Sequence, residues 1–250
     1  MTTQKNLQLS ATFSVEVVAE NAVLLSWPQQ ISAEQHNNII ALQSALKQKL
    51  SSLIVDSVAS YHCLMIYYQF QLISTEALIE RITTISTDTN YALNNPDDNS
   101  SSEQQPQACI RIPVYYDTQQ QWDLQKVSQH CDISTEEVIK QHSSTVYRSY
   151  ALGFTPGFCY LASLPKVLSV PRMSSPRTKV PKGAVAIAEQ QTAIYPNESP
   201  GGWHIIGQSP LPMYQCKNGK FIPAITVGQR VQFYAISKTE FLALEQSAVL

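Results

Sequence analysis

Charge, glycine and cysteine are all scarce in this chain, and each scarcity excludes something. Only 14% of the 250 residues are Asp, Glu, Lys or Arg, and the formal net charge is −2. That rules out the broad basic field of a nucleic-acid binder, and 44% hydrophobic residues rule out a disordered chain. Cys63, Cys109, Cys131, Cys159 and Cys216 are widely spaced, with no CxxC, which excludes a disulfide framework and a Cys-rich zinc site and indicates reduced thiols. No apolar run reaches the roughly 18 residues of a bilayer span. The opening MTTQKNLQLSATFSV has no apolar signal-peptide core, so a soluble, cytoplasmic protein without a membrane partner is expected. Walker A, HExxH, G-x-S-x-G and paired catalytic carboxylates are absent. A nucleotide would therefore not sit on a P-loop, and no protein-held metal is expected.

What is present begins with an alternation of strand and helix patterns. Residues 11–27 alternate weakly around Glu20-Asn21 and predict a strand pair. Ser32-Ala33-Glu34-Gln35 reads as a capping box, followed by Ile39, Leu42, Leu46 and Leu50 at helical spacing. Leu53–Val58 and His62–Tyr68 predict paired strands, and a helix from near Ser74 uses Leu78, Ile79, Ile82 and Ile85. Residues 1–93 thus form a small α+β domain. Residues 94–107, NNPDDNSSSEQQPQ, have no large apolar residue and read as a linker or mobile loop. From 108 to 250 the pattern changes. A strand at Cys109–Tyr115 precedes two short helices, Asp123–Cys131 and one capped at Ser134 that runs to His142. Their acidic Glu136 and Glu137 do not suit a DNA-reading helix-turn-helix. Short strands follow at Thr145–Leu152, Ala184–Ala188, Thr192–Tyr195, His204–Ile206 and Arg230–Ile236, a spacing that predicts a closed or nearly closed barrel.

The stretch from His142 to Trp203 concentrates the unusual residues. Half of the 14 Pro lie in it, and with Gly207 so do six of the eight Gly. It holds six Lys or Arg against two Glu, a local charge of +4 in an otherwise acidic chain. Such a field favours a small anionic ligand held on shaped loops. Pro171-Arg172 and Pro176-Arg177 place two planar guanidinium groups five residues apart, suited to carboxylate or phosphate, unless both are idle surface charges. His142 is either a helix-end residue favoured by the dipole or a proton-transfer group beside the Gly-rich loops. Trp203 is either core or ligand platform. Cys159, between Phe158 and Tyr160, reads as buried.

The segments HSS…Y…LGFTPGFCYL, PR…PR, VPKGAVAIA, IYP and SPGGWHIIG resemble the family of the 5-oxoprolinase B subunit, also called allophanate hydrolase subunit 1. It is a carboxyltransferase-domain family with a branch that inhibits sensor histidine kinases. The resemblance implies an α+β fold, with a small N-terminal α+β domain and a C-terminal cyclophilin-like β-barrel. It implies the 5-oxoprolinase C and A subunits as partners, ATP with Mg shared with the partner, and the opening of 5-oxoproline to glutamate. The alternatives are kinase inhibition and a urea carboxylase-type carboxyltransferase component. His142, Arg172 and Arg177 are the implied catalytic residues. Ser143, Ser144, Phe154, Pro156, Gly157, Tyr160, Tyr195, Pro196, Pro200, Gly201, Gly202 and Trp203 are implied to bind substrate or nucleotide. The chain departs from the family pattern at Thr118–Gln121, Cys159, Ser163, Glu189-Gln190 and Gln229, beside these motifs.

Overall fold

A computed structural model describes residues 13–94, 108–116 and 122–247. Residues 95–107 of the expected linker and the departure at Thr118–Gln121 lie outside the described residues. The chain divides into two compact units, Met1–Gln105 and Pro106–Leu250.

The first unit is two hairpins, each followed by a helix: β1 (Ser14–Ala19), β2 (Ala22–Ser26), α1 (Ala33–Lys49), β3 (Ile54–Ala59), β4 (Cys63–Tyr68) and α2 (Thr75–Asn94). The strands form one antiparallel sheet in the order β1-β2-β4-β3. The apolar stripes expected of the helices are what they bury: Ile39, Leu42 and Leu46 from α1, and Leu78, Ile79, Ile82 and Ile85 from α2, together with Val23, Leu25, Leu64 and Ile66 of the sheet. Ser32 caps α1 by accepting the Gln35 N–H at 3.2 Å. The reciprocal half of the expected box does not form, because Oε1 of Gln35 instead accepts the Gln30 side-chain amide at 3.2 Å while its Nε2 donates to the Pro28 carbonyl at 3.0 Å.

The second unit is built around a barrel. Its sheet joins β5 (Ile110–Val114), β6 (Val146–Leu152), β7 (Cys159–Ala162), β9 (Ala184–Ala188), β10 (Gln191–Ile194), β12 (His204–Gln208) and β15 (Arg230–Ala235) in the order β12-β9-β10-β7-β6-β15-β5. The edges nearly close: beyond the end of β5, Tyr115 exchanges two backbone hydrogen bonds of 2.9 Å with Gln208 of β12. All seven strands send side chains into one core, among them Val114, Tyr147, Leu161, Ile187, Ile194, Ile206 and Phe233. Helices α3 (Leu124–Cys131) and α4 (Thr135–Ser144) join the same core through Leu124, Val127 and Val138.

Alternation puts the other set of side chains outside. Ala184, Ala186, Ala188, Ala193, Tyr195 and Ile205 form a second core with Phe158, Val180 and Trp203. Small residues on β9 let a further layer approach. That layer includes β8 (Arg177–Val180), which pairs antiparallel with β11 (Ser199–Gly201). The hairpin β13 (Tyr214–Lys217) and β14 (Lys220–Pro223) and the helix α5 (Lys238–Ser247) complete the unit. The sequence does not announce strands β7, β8, β11, β13 and β14. All are three or four residues long, too short for an alternation to stand out.

Candidate functional site

The His142–Trp203 stretch separates into an inner and an outer set. His142 ends α4 inside the barrel and is fully buried. Thr192 donates its hydroxyl to the Ala186 carbonyl at 3.1 Å, so its oxygen accepts Nε2–H of His142 at 2.9 Å. Nδ1 then accepts the Tyr116 hydroxyl at 2.7 Å. Both ring nitrogens are satisfied in one neutral tautomer, and Phe233 stacks on the ring at 4.5 Å. Burial pushes the pKa of His142 down to about 3. These contacts describe a core histidine that ties α4 to the barrel wall. Ser143 is half-buried and Ser144 exposed, and their carbonyls accept the Gln232 amide at 3.2 and 3.4 Å.

The expected pocket shared by His142 and the Pro200-Gly201-Gly202 loop does not form. His142 bonds Thr192 on the inner face of β10, whereas Gly201 abuts Tyr195, which packs in the outer core. A strand's alternate side chains point to opposite faces, so the barrel wall lies between them.

The outer set does come together. Phe158 is the hub, edge-on to Phe154 (5.2 Å), Tyr160 (4.9 Å), Tyr195 (5.2 Å) and Trp203 (5.9 Å). Trp203 and Tyr195 are buried, which settles Trp203 as core. Phe154 is 59% exposed and Tyr160 half-exposed, so these two present aromatic surface. Burial raises the pKa of the Tyr160 and Tyr195 hydroxyls although Arg172 opposes it at both, and Arg177 and a Trp203 backbone hydrogen bond oppose it further at Tyr195. Both phenols are therefore proton-bearing donors at neutral pH. Pro196 is buried, while Pro156 and Pro200 are exposed beside the cluster.

The glycines serve packing within the protein. A Cβ on Gly201 would lie 2.3 Å from the Tyr195 hydroxyl, and one on Gly157 would lie 2.9 Å from the Tyr214 ring. Gly157 also has φ +85°, a region that favours glycine. Gly202, expected to approach a ligand, has only ordinary contacts, the nearest 3.6 Å away at Pro176.

The two arginines differ in their work. Arg177 donates to Oδ1 of Asp123 at 2.7 Å, and Asp123 is buried. Oδ2 of Asp123 accepts the Ile205 N–H at 3.0 Å, and Lys126 reaches Oδ1 at 3.2 Å. Burial would raise this carboxyl's pKa, but the Arg177, Ile205 and Lys126 bonds together hold it below the ordinary value. Arg177 thereby locks β8 to the start of α3. In the sequence Asp123 marks only the start of a helix. Its role as an anchor for a residue 54 positions away leaves no local signal.

Arg172 is exposed and makes a loose pair with Glu189 at 3.5 Å. It lines a cleft of about 440 Å³ with Lys126, Val127, His130, Val170, Pro171, Met173, Ser174 and His204. His204 closes one side, its Nε2 bonded to the Pro171 carbonyl at 3.0 Å. Nothing in the sequence singles out Lys126, His130 or His204 as site residues.

An α+β unit followed by a nearly closed barrel, with an arginine- and aromatic-bearing outer layer, defines a module of the carboxyltransferase type. The chain belongs to the carboxyltransferase domain family, subdomains C and D, whose model matches residues 13–223. The 5-oxoprolinase B subunit of Haemophilus influenzae is 32% identical over 216 residues, covering 86% of this chain and 94% of that one. The corresponding B subunit of Bacillus subtilis is 26% identical over 255 residues, covering 96% and 100%. The crystal structure of TTHA0988 is 31% identical with a TM-score of 0.71 over 86% of this chain, which spans 39% of that longer chain. Kluyveromyces lactis urea carboxylase shares the fold alone, with a TM-score of 0.71 at 14% identity over 98% of this chain and 23% of its own.

Proposed function

We propose that this chain is the B subunit of an ATP-dependent 5-oxoprolinase, acting with the C and A subunits to open 5-oxoproline to L-glutamate. The observation that carries the reading is its near end-to-end similarity to a 5-oxoprolinase B subunit, over 96% of this chain and 100% of the relative. The chemistry agrees. Opening a lactam requires polarising an amide beside a carboxylate, and the half-exposed, proton-bearing phenol of Tyr160, which feels the charge of Arg172, suits that task. The ATP and Mg of the reaction are matched only in part. Lys126 and Arg172 are the groups suited to phosphate, whereas no cluster of three or more His, Cys, Asp or Glu fit for a metal occurs among the described residues.

No helix among the described residues is long and apolar enough to cross a membrane. All five cysteines are free, which suits the reducing, ATP-containing cytoplasm. Co-expression with the C and A subunits, followed by size-exclusion chromatography, tests the assignment. A stable complex containing this chain is expected, and separate elution of the three proteins, all folded, counts against it.

A further inference from the structure

We propose that the cleft between α3, the Val170–Ser174 loop and the start of β12 binds a small organic anion, through a carboxylate or a phosphate group. Of the residues lining it, Lys126 and Arg172 carry cationic groups, His130 an imidazole and Ser174 a hydroxyl, no carboxylate is among them, and His204 is committed through Nε2 to the Pro171 carbonyl. Val127, Val170 and Met173 supply apolar lining. A cleft of about 440 Å³ with a few polar groups on an apolar surface fits an organic molecule better than a bare ion.

The carboxylates at its edge do not cancel the charge. Asp123 is already held by Arg177 and the Ile205 N–H, so its pairing with Lys126 neutralises little. Glu189 meets Nε of Arg172 at 3.5 Å with both side chains largely exposed, a pairing of small worth. Among the described residues, no hydrogen bond engages the terminal nitrogens of Arg172. They offer the planar fork that recognises a carboxylate or phosphate.

Arg172 and Lys126 stand on different parts of the chain, 46 positions apart in the sequence. Arg177, by bonding the same carboxylate as Lys126, ties the loop-side strand to α3 and holds the two walls of the cleft in register.

This inference does not rest on the 5-oxoprolinase reading, because it concerns the chain alone. Calorimetric titration of the full chain would use inorganic phosphate, ATP and 5-oxoproline, with 2-pyrrolidone as the uncharged control. At least one anion is expected to bind, more weakly as salt is raised to about 0.5 M, while 2-pyrrolidone does not bind. Binding of 5-oxoproline alone assigns the carboxylate. Binding of ATP and phosphate without 5-oxoproline assigns the phosphate. Arg172→Gln should weaken the bound anion roughly 10- to 100-fold, as loss of a charged hydrogen bond does. Lys126→Gln should weaken it less, and Lys217→Gln on β13 should leave it unchanged. Arg172 and Lys126 are exposed at 58% and 65% of their side chains, so both variants fold. Absence of binding by all three anions at concentrations up to about 10 mM, or equal binding by the wild type and both cleft variants, overturns the proposal. Anion binding by a chain that supports no 5-oxoproline turnover would overturn the enzyme reading and leave the cleft standing.

Discussion

Replacing Gly201 by alanine tests the outer layer most sharply. The new Cβ would lie 2.3 Å from the Tyr195 hydroxyl oxygen and 2.9 Å from two ring carbons. Tyr195 cannot swing away: it is 2% exposed and held edge-on by Phe158 at 5.2 Å. Gly201 cannot retreat easily either, because β11 is paired to β8 opposite Arg177. Overpacking of this kind costs about 1–3 kcal/mol. That corresponds to a drop of about 2–12 °C in Tm for a chain of this size. Gly202→Ala adds the same methyl group next door, where the nearest atom is 3.6 Å away, and should change stability by less than about 0.5 kcal/mol. Thermal melts followed by tryptophan fluorescence follow the region through Trp203 and Trp122, which share this core, with Trp27 of the first unit adding a separate signal. Adding Tyr195→Phe to Gly201→Ala removes the closest clash and should recover part of the loss, a coupling that a double-mutant cycle measures. Equal melting temperatures for the two alanine variants would refute the packing described for this layer.

Three further outcomes follow from the buried groups. Because the folded-state pKa of His142 is pushed down to about 3, the unfolded chain binds the extra proton first, near the ordinary value of about 6.5. Its contribution is full above that pH and is lost as pH falls toward 3, so denaturant stability should fall from pH 7 to 5, and His142→Gln should flatten that slope. Asp123, held below its ordinary pKa, contributes above about pH 4 and loses that contribution below it. Arg177→Gln, which strands this buried carboxylate, should destabilise by up to about 3–5 kcal/mol in urea titrations, with Lys126 and the Ile205 N–H retaining part of it. Burial pushes the Cys159 thiol up to about 12, so a thiol reagent should label the exposed Cys216 in the native protein and reach Cys159 only on unfolding.

Local patterns carry much of the architecture. The helix stripes of α1 and α2, the strand pairs of the first unit and the short-strand spacing of the barrel are all periodicities that a single segment displays. Ser32 and Ser134 cap their helices as their motifs suggest. Whatever depends on a distant neighbour is not legible in this way. Arg172 and Arg177 look alike in sequence, yet one reaches a buried carboxylate across 54 positions and the other lines a cleft. His142 looks equally suited to a pocket or a core, and the choice rests on where Tyr116 and Thr192 come to lie. Gly201 and Gly202 are adjacent, yet only one has Tyr195 against it. The basic cleft draws on α3, a helix whose sequence invites comparison only with a DNA-reading motif and lacks the charge for it.

The central claim is settled most directly by turnover with the chain left out. Purified A and C subunits, with 5-oxoproline, ATP and Mg, should form L-glutamate and release phosphate only when this chain is added, and omission of ATP should abolish both. Glutamate formation at the same rate without the chain, or none from the complete and folded complex, would contradict the assignment.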